Sequence, residues 1–195
     1  MPNSAADEYL RTRGLTPDSQ TYFRLGHVAD PLPGHERYRG MLAVPYVTPA
    51  GPVAIRFRRL PGPDGSTAQP KYLSEPGDGL RLFNVAAFGR PEPFLCVCEG
   101  ELDTIAVTQA GLPAVGIPGA EGWQRWFAFC FQGYDAVFIL ADTDDKGAGM
   151  GLAEKVAEQV EGARIAPMPG EHDANSFLLE NGRNALYKLI GVEHA

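Results

Sequence analysis

From residue 93 onward the chain alternates short, uninterrupted apolar runs with segments of helical periodicity, and this rhythm restricts the fold more than any other feature. The runs are FLCVCE (94–99), PAVGI (113–117), AVFILAD (136–142) and ARIAPM (163–168). Helical patterns fall at 102–110, 121–131, 148–160, 174–181 and 183–191. Strands that are apolar at every position must be covered on both faces, which is the condition of a parallel sheet between helices. An α/β domain over 93–195 follows, with its boundary at Pro91-Glu92-Pro93.

Residues 1–92 read differently. Ser4 precedes one short helix ending at Gly14, and Thr16-Pro17-Asp18 opens a second that runs to about Phe23. MLAVPYV (41–47) and VAIRFRRL (53–60) are separated by TPAGP and form a hairpin, and Lys71-Tyr72-Leu73 resumes a strand after the Pro/Gly-rich loop 61–70. This is a small α+β unit. Ile55 and Phe57 alternate with Arg56 and Arg58, so one face packs while the other offers guanidinium groups.

The net charge of -7 hides an asymmetry: residues 1–92 hold 11 Lys and Arg against 9 Asp and Glu, and residues 93–195 hold 6 against 15. An acidic second half suits a site that concentrates cations, and a basic patch in the first suits phosphate contacts. Cys96, Cys98 and Cys130 sit within apolar runs without the spacing or histidine companions of a zinc site, so they are expected to be core residues and no zinc is expected. Trp123, Trp126 and Phe127 are also expected in the core. No run approaches the roughly 20 apolar residues of a membrane span, and the start lacks a secretion signal, so a cytoplasmic protein with no membrane partner is expected, in the host cytoplasm if phage-encoded.

In open parallel sheets, ligands collect at the carboxyl ends of strands, so acidic residues matter by position. Glu99 ends the first strand, with Asp103 one helical turn on. Asp142 and Asp144 follow the third, with Asp145 beside them. Glu171, His172 and Asp173, then Asn175, follow the fourth. One such aspartate alone is usually a solvated loop residue or a helix cap. Three clusters with few Lys or Arg nearby cost free energy unless cations join them, and hard carboxylate oxygens select magnesium or manganese. Of the histidines, only His172 stands beside this set.

The segments CEGELDTIAVTQAG (98–111), ILADTDDKGAG (139–149) and EHDANSFLLENG (171–182) together resemble the TOPRIM domain of DnaG-like bacterial and phage primases, whose pattern is E-G-x-x-D, then D-x-D, then D-x-[DN]. EYLRTRGL (8–15), FRLGHV (23–28), RYRGMLAVPY (37–46) and PKYLSEPG (70–77) are similar to the amino-terminal part of the same catalytic core. The resemblance implies a TOPRIM parallel sheet preceded by a primase-type nucleic-acid-binding subdomain, and synthesis of short RNA primers on single-stranded DNA by metal-dependent nucleotidyl transfer. It implies Glu99, Asp142 and Asp144 as catalytic and metal-binding residues, Asp173 as a ligand or its supporting partner, and Asp103, Asp145 and Asn175 in support. Asn175 stands where some relatives have aspartate, which lowers the local charge by one. Arg37, Arg39, Arg56, Arg58, Arg59 and Lys71, with Asp64 the lone acidic residue among them, would form a ridge for template phosphates and nucleoside triphosphates. The zinc-binding and helicase modules of full-length relatives have no counterpart in the sequence, so a replicative helicase or a separate template-recognition module is an expected partner. A TOPRIM-type nuclease and an accessory nucleic-acid-binding subunit of a replication complex remain the alternatives.

Overall fold

A computed structural model describes residues 1–143 and 147–193, and the chain divides into two units, Met1–Gly79 and Leu80–Ala195. In the first, Ser4 caps α1 (Ala5–Thr12) by accepting the Asp7 N–H at 3.2 Å. Thr16 caps α2 (Pro17–Tyr22), with proline at the first helical position, where its missing N–H costs nothing. An antiparallel sheet follows: β1 (Gly26–His27), β2 (Leu42–Thr48), β3 (Gly51–Arg58) and β4 (Tyr72–Ser74), side by side in that order. The β2–β3 hairpin runs from Leu42 opposite Arg58 to Thr48 opposite Gly51, with a slip between Tyr46 and Val47. Tyr38 stacks on Phe57 at 3.8 Å between ring centroids, and Met41 completes this small core.

The second unit holds the expected parallel sheet between helices. Its strands are β5 (Phe94–Glu99), β6 (Ala114–Ile117), β7 (Ala136–Ala141) and β8 (Ala163–Pro167), in the order β6-β5-β7-β8. The helices are α3 (Glu101–Gln109), α4 (Ala148–Ala157), α5 (Ala174–Asn181) and α6 (Arg183–Ile190). Alternate residues of one strand enter separate cores. Leu95, Val97, Val137 and Ile139 pack with Leu152 and Val156 of α4, while Cys96, Cys98, Phe138 and Leu140 pack with Val107 of α3, Phe177 of α5 and Leu186 of α6. Both faces are covered, which is why the strand sequences show no polar alternation.

Three features depart from the sequence reading. Residues 80–92 pack with the second unit, although the sequence break falls at 92/93: Phe83 exchanges two backbone hydrogen bonds with Gly116 (2.8 and 3.1 Å), and Leu82 and Ala87 enter its core. The helix expected over 121–131 is a 3-10 helix at Arg125–Phe131, with 121–124 outside it. Gly122 lies where a Cβ would meet the Pro118 ring and the Gly119 carbonyl at 2.9 Å, so the chain doubles back too tightly for an α-helical start. Four aromatic residues crowded into RWFAFCF also disfavour the α form. Cys130 and Trp126 are consequently exposed, whereas Cys96, Cys98, Trp123 and Phe127 are buried as expected. Among the described residues, no helix is long and apolar enough to cross a membrane.

Candidate functional site

Chain connections diverge around β5. From it α3 leads to β6 on one side, while β7 and then β8 lie on the other. A crevice opens where such connections part, at the carboxyl ends of the strands. Glu99 is the last residue of β5 and Asp142 directly follows β7, and because Cys98 pairs with Leu140 the two acids end adjacent central strands. Glu99 Oε2 and Asp142 Oδ1 are both shut off from solvent.

Gly100, at a φ of 99°, turns the chain from β5 directly into α3. Gly116 of β6 permits that turn, since a Cβ there would stand 2.4 Å from the Thr104 hydroxyl and 2.9 Å from the Gly100 carbonyl. Glu101, 1% exposed, and Asp103 fall in the first turn of α3, where the helix dipole favours negative charge. Asp103 Oδ1 accepts the Asn175 backbone N–H at 3.0 Å, joining the start of α3 to the start of α5 across 72 residues. Burial, and then the charges of Cys96, Asp103 and Asp142, push the Cys98 thiol well above its usual range.

Asp142 is fixed from two sides. The first turn of α4 presses Gly149 on it so closely that a Cβ would lie 2.5 Å from the Asp142 carbonyl oxygen. Thr143 donates its hydroxyl to the Met168 carbonyl at 2.7 Å and its N–H to the His172 carbonyl at 3.4 Å, tying the end of β7 to the segment that enters α5. There Asp173 is the helix cap. Its Oδ1 accepts the Ser176 N–H at 2.6 Å, and the Ser176 hydroxyl accepts the Asp173 N–H at 3.1 Å. His172 faces α5, with Nδ1 3.1 Å from Ser176 Oγ and Nε2 3.4 Å from Glu180. Asp173→Asn is expected to hold stability within about 0.5 kcal/mol of wild type, because asparagine caps as well as aspartate, while Asp173→Ala loses about 1 kcal/mol. Urea unfolding of the two variants measures the cap, and the metal dependence of Asp173→Asn reports any separate role as a ligand.

The structure thus brings Glu99 and Asp142 to neighbouring strand ends, links Asp103 to Asn175, and places Asp173 at the helix that Thr143 ties to β7. Asp144 and Asp145 lie outside the described residues. Among the described residues, no three His, Cys, Asp or Glu side chains form a metal-binding group by themselves. The donors present at the crevice are hard carboxylate oxygens, the chemistry that fits magnesium or manganese. Glu101 and Thr143 escaped the sequence reading.

The basic residues of the first unit do not form one ridge. Strand alternation puts Arg56 and Arg58 on the face of β3 opposite Phe57, and Arg58 is only 8% exposed. Its guanidinium donates to the hydroxyls of Tyr72 (2.5 Å) and Tyr9 (2.6 Å), so it is a packing element rather than a surface cation. Arg56 lies over the Tyr72 ring, 4.4 Å from the centroid. Arg37 lies over Tyr38, which stacks on the Phe57 face, and pairs with Glu75 at 3.6 Å. Arg39 donates to the Ala29 carbonyl and stands 3.8 Å from Asp30. Arg59 and Lys71 adjoin through the Arg59 N–H, which donates to the Lys71 carbonyl at 2.9 Å, and Arg59 Nε donates to the Pro70 carbonyl. Arg58→Ala is expected to destabilise the chain by about 2–4 kcal/mol in urea unfolding, because two partly buried phenol groups lose their donor and a packed cavity opens.

Comparison with known proteins agrees with this architecture. Residues 96–178 match the family described as Toprim-like. The Gene 57 protein of Mycobacterium phage D29 is 42% identical over 158 residues, which span 78% of this chain and 99% of that protein. The solved DnaG catalytic core aligns with a TM-score of 0.77 at 21% identity, covering 98% of this chain and 74% of that one. The DnaG primase catalytic domain bound to single-stranded DNA aligns with a TM-score of 0.77 at 22% identity, covering 98% and 72%. The chain belongs to the family of the phage Gene 57 protein, and its fold is that of the DnaG primase catalytic core with its Toprim-like domain.

Proposed function

We propose that this chain is a DNA primase catalytic core that joins nucleoside triphosphates into short RNA primers on single-stranded DNA. The observation that carries the reading is the pair Glu99 and Asp142, set on adjacent central strands where the connections diverge, in a chain with the DnaG core fold. In the reaction the 3′-oxygen of one nucleotide bonds to the α-phosphorus of the next, and the bond to pyrophosphate breaks. Glu99, Asp142 and Asp144, with Asp173 as a further ligand or support, would hold magnesium or manganese. Bound divalent ions supply Lewis-acid stabilisation of the charge on attacking and leaving oxygens. Glu99 would take the proton of the attacking hydroxyl on a carboxylate oxygen. Asp103 and Asn175 keep the helices that flank the crevice in register through their hydrogen bond. Arg37, Arg39, Arg56, Arg59 and Lys71 supply phosphate contacts, Arg39, Arg59 and Lys71 toward the nucleotides, and a replicative helicase or template-recognition module is the partner that selects where synthesis starts.

Incubating the chain with single-stranded DNA and manganese, with and without labelled ribonucleotides, separates this reading from its rivals. Labelled primers that appear only when nucleotides are present support a primase. Shortening of the template without nucleotides points to a nuclease, and neither product in any condition points to an accessory subunit; both outcomes contradict the proposal.

A further inference from the structure

At the opposite edge of the parallel sheet the second unit carries a cavity of about 770 Å³, within the usual range for ligand sites, lined by Phe129, Phe131, Tyr134, Asp135, Gln159 and Glu161 among others. Asp135 directly precedes β7 and Glu161 lies just before β8, so the cavity opens at the starting ends of these strands. The length of β7, roughly 20 Å, separates it from Asp142. Its walls are tied to the fold. The Trp123 indole N–H donates to Gln159 at 3.1 Å, the Asp135 N–H to the Pro93 carbonyl at 2.8 Å, and the Val137 N–H to the Gly162 carbonyl at 3.1 Å. A 3-10 helix repeats every three residues, so Trp126 and Phe129 share one stripe, and they are 56% and 72% exposed. Phe129 lines the cavity, and Trp126 extends the same aromatic strip one turn earlier.

Among the described residues, the lining holds two carboxylates, Asp135 and Glu161, and no lysine or arginine. We propose that this cavity and its aromatic rim dock a cationic, apolar-bearing peptide segment of a partner protein. Lysine or arginine side chains would meet Asp135 and Glu161, and their neighbouring apolar or guanidinium groups would lie on Trp126 and Phe129, aromatic types enriched at protein interfaces. Exposed aromatics also stack nucleic-acid bases. Here the two carboxylates repel a phosphate backbone, so the charge selects a basic peptide over a single strand. A partner held at this edge leaves the crevice at the carboxyl ends of the strands open.

The test uses the full chain and fluorescence anisotropy with a short fluorescein-labelled peptide alternating arginine and leucine, alongside fluorescein-labelled oligo-dT. The Asp135→Asn/Glu161→Gln double variant and the Trp126→Ala/Phe129→Ala double variant are each expected to weaken peptide binding about tenfold or more. Glu154→Gln on α4, an acid outside the cavity, is expected to leave it unchanged, as are oligo-dT binding and primer synthesis in all these variants. Circular dichroism confirms that the variants fold, and Phe129→Arg, which adds a positive charge to the rim, is likewise expected to weaken peptide binding. Peptide binding as tight in the double variants as in wild type overturns the proposal. So does equal weakening by Glu154→Gln, or a loss of oligo-dT binding with the aromatic variant, which would make the strip a nucleic-acid platform.

Discussion

Asp142→Asn is expected to reduce nucleotide incorporation by roughly a thousandfold while leaving the unfolding midpoint near that of wild type. The carboxylate follows the end of β7 beside Glu99, and one of its oxygens is closed to solvent. An amide of the same shape keeps the packing and removes the charge. Several kcal/mol of transition-state stabilisation depend on charge at such a centre, and each 1.36 kcal/mol is about tenfold in rate. Steady-state incorporation on a single-stranded template, read beside urea unfolding, checks both halves. An equal fall in stability and activity would make Asp142 a structural residue and no more.

Two glycines of one helix provide the second large effect, with opposite signs. Gly149→Ala would thrust a Cβ to 2.5 Å from the Asp142 carbonyl oxygen and 2.8 Å from the Asp142 Cβ. Backbone cannot yield as a flexible side chain does, so α4 and the residue after β7 must separate. The expected cost is about 1–3 kcal/mol of stability, with a loss of activity larger than that cost explains, because the displaced group is the candidate metal ligand itself. Gly151 is also in α4 but has open space where its Cβ would lie. Gly151→Ala is therefore expected to stabilise by about 0.5–1 kcal/mol, the helix propensity gain alone, with activity unchanged. Unfolding midpoints and incorporation rates of both variants decide it; a stabilised Gly149→Ala would show that the contact with Asp142 is not rigid.

How far the sequence discloses this architecture depends on whether a residue's role is local. The parallel strands were legible almost to the residue, since burial on both faces leaves continuous apolar runs, and β5 spans the same residues 94–99 in sequence and structure. The cap of α1 at Ser4 and that of α2 at Thr16 were equally local. Arg58 was not, because its burial depends on Tyr9, 49 residues away, and on Tyr72 across the sheet. The 3-10 helix at 125–131 carries apolar spacing that a helical template accepts, and the tight packing around Gly122 that forbids an α start appears only in three dimensions. At the site, strand-end position was enough to find Glu99 and Asp142. The capping box at Asp173 was latent in the spacing of Asp173 and Ser176, but Asp173 also opens the D-x-[DN] pattern with Asn175, and that pattern drew the metal reading first.

Glu99 and Asp142 are proposed to share one divalent cation. Titration of manganese by electron paramagnetic resonance, on the full chain with single-stranded template and a non-hydrolysable nucleotide, measures it directly in wild type, Glu99→Gln, Asp142→Asn and the double variant. Each single substitution is expected to remove the same tightest ion, and the double variant to lose little more. Wild-type affinity in either single variant, or losses that simply add, would contradict it.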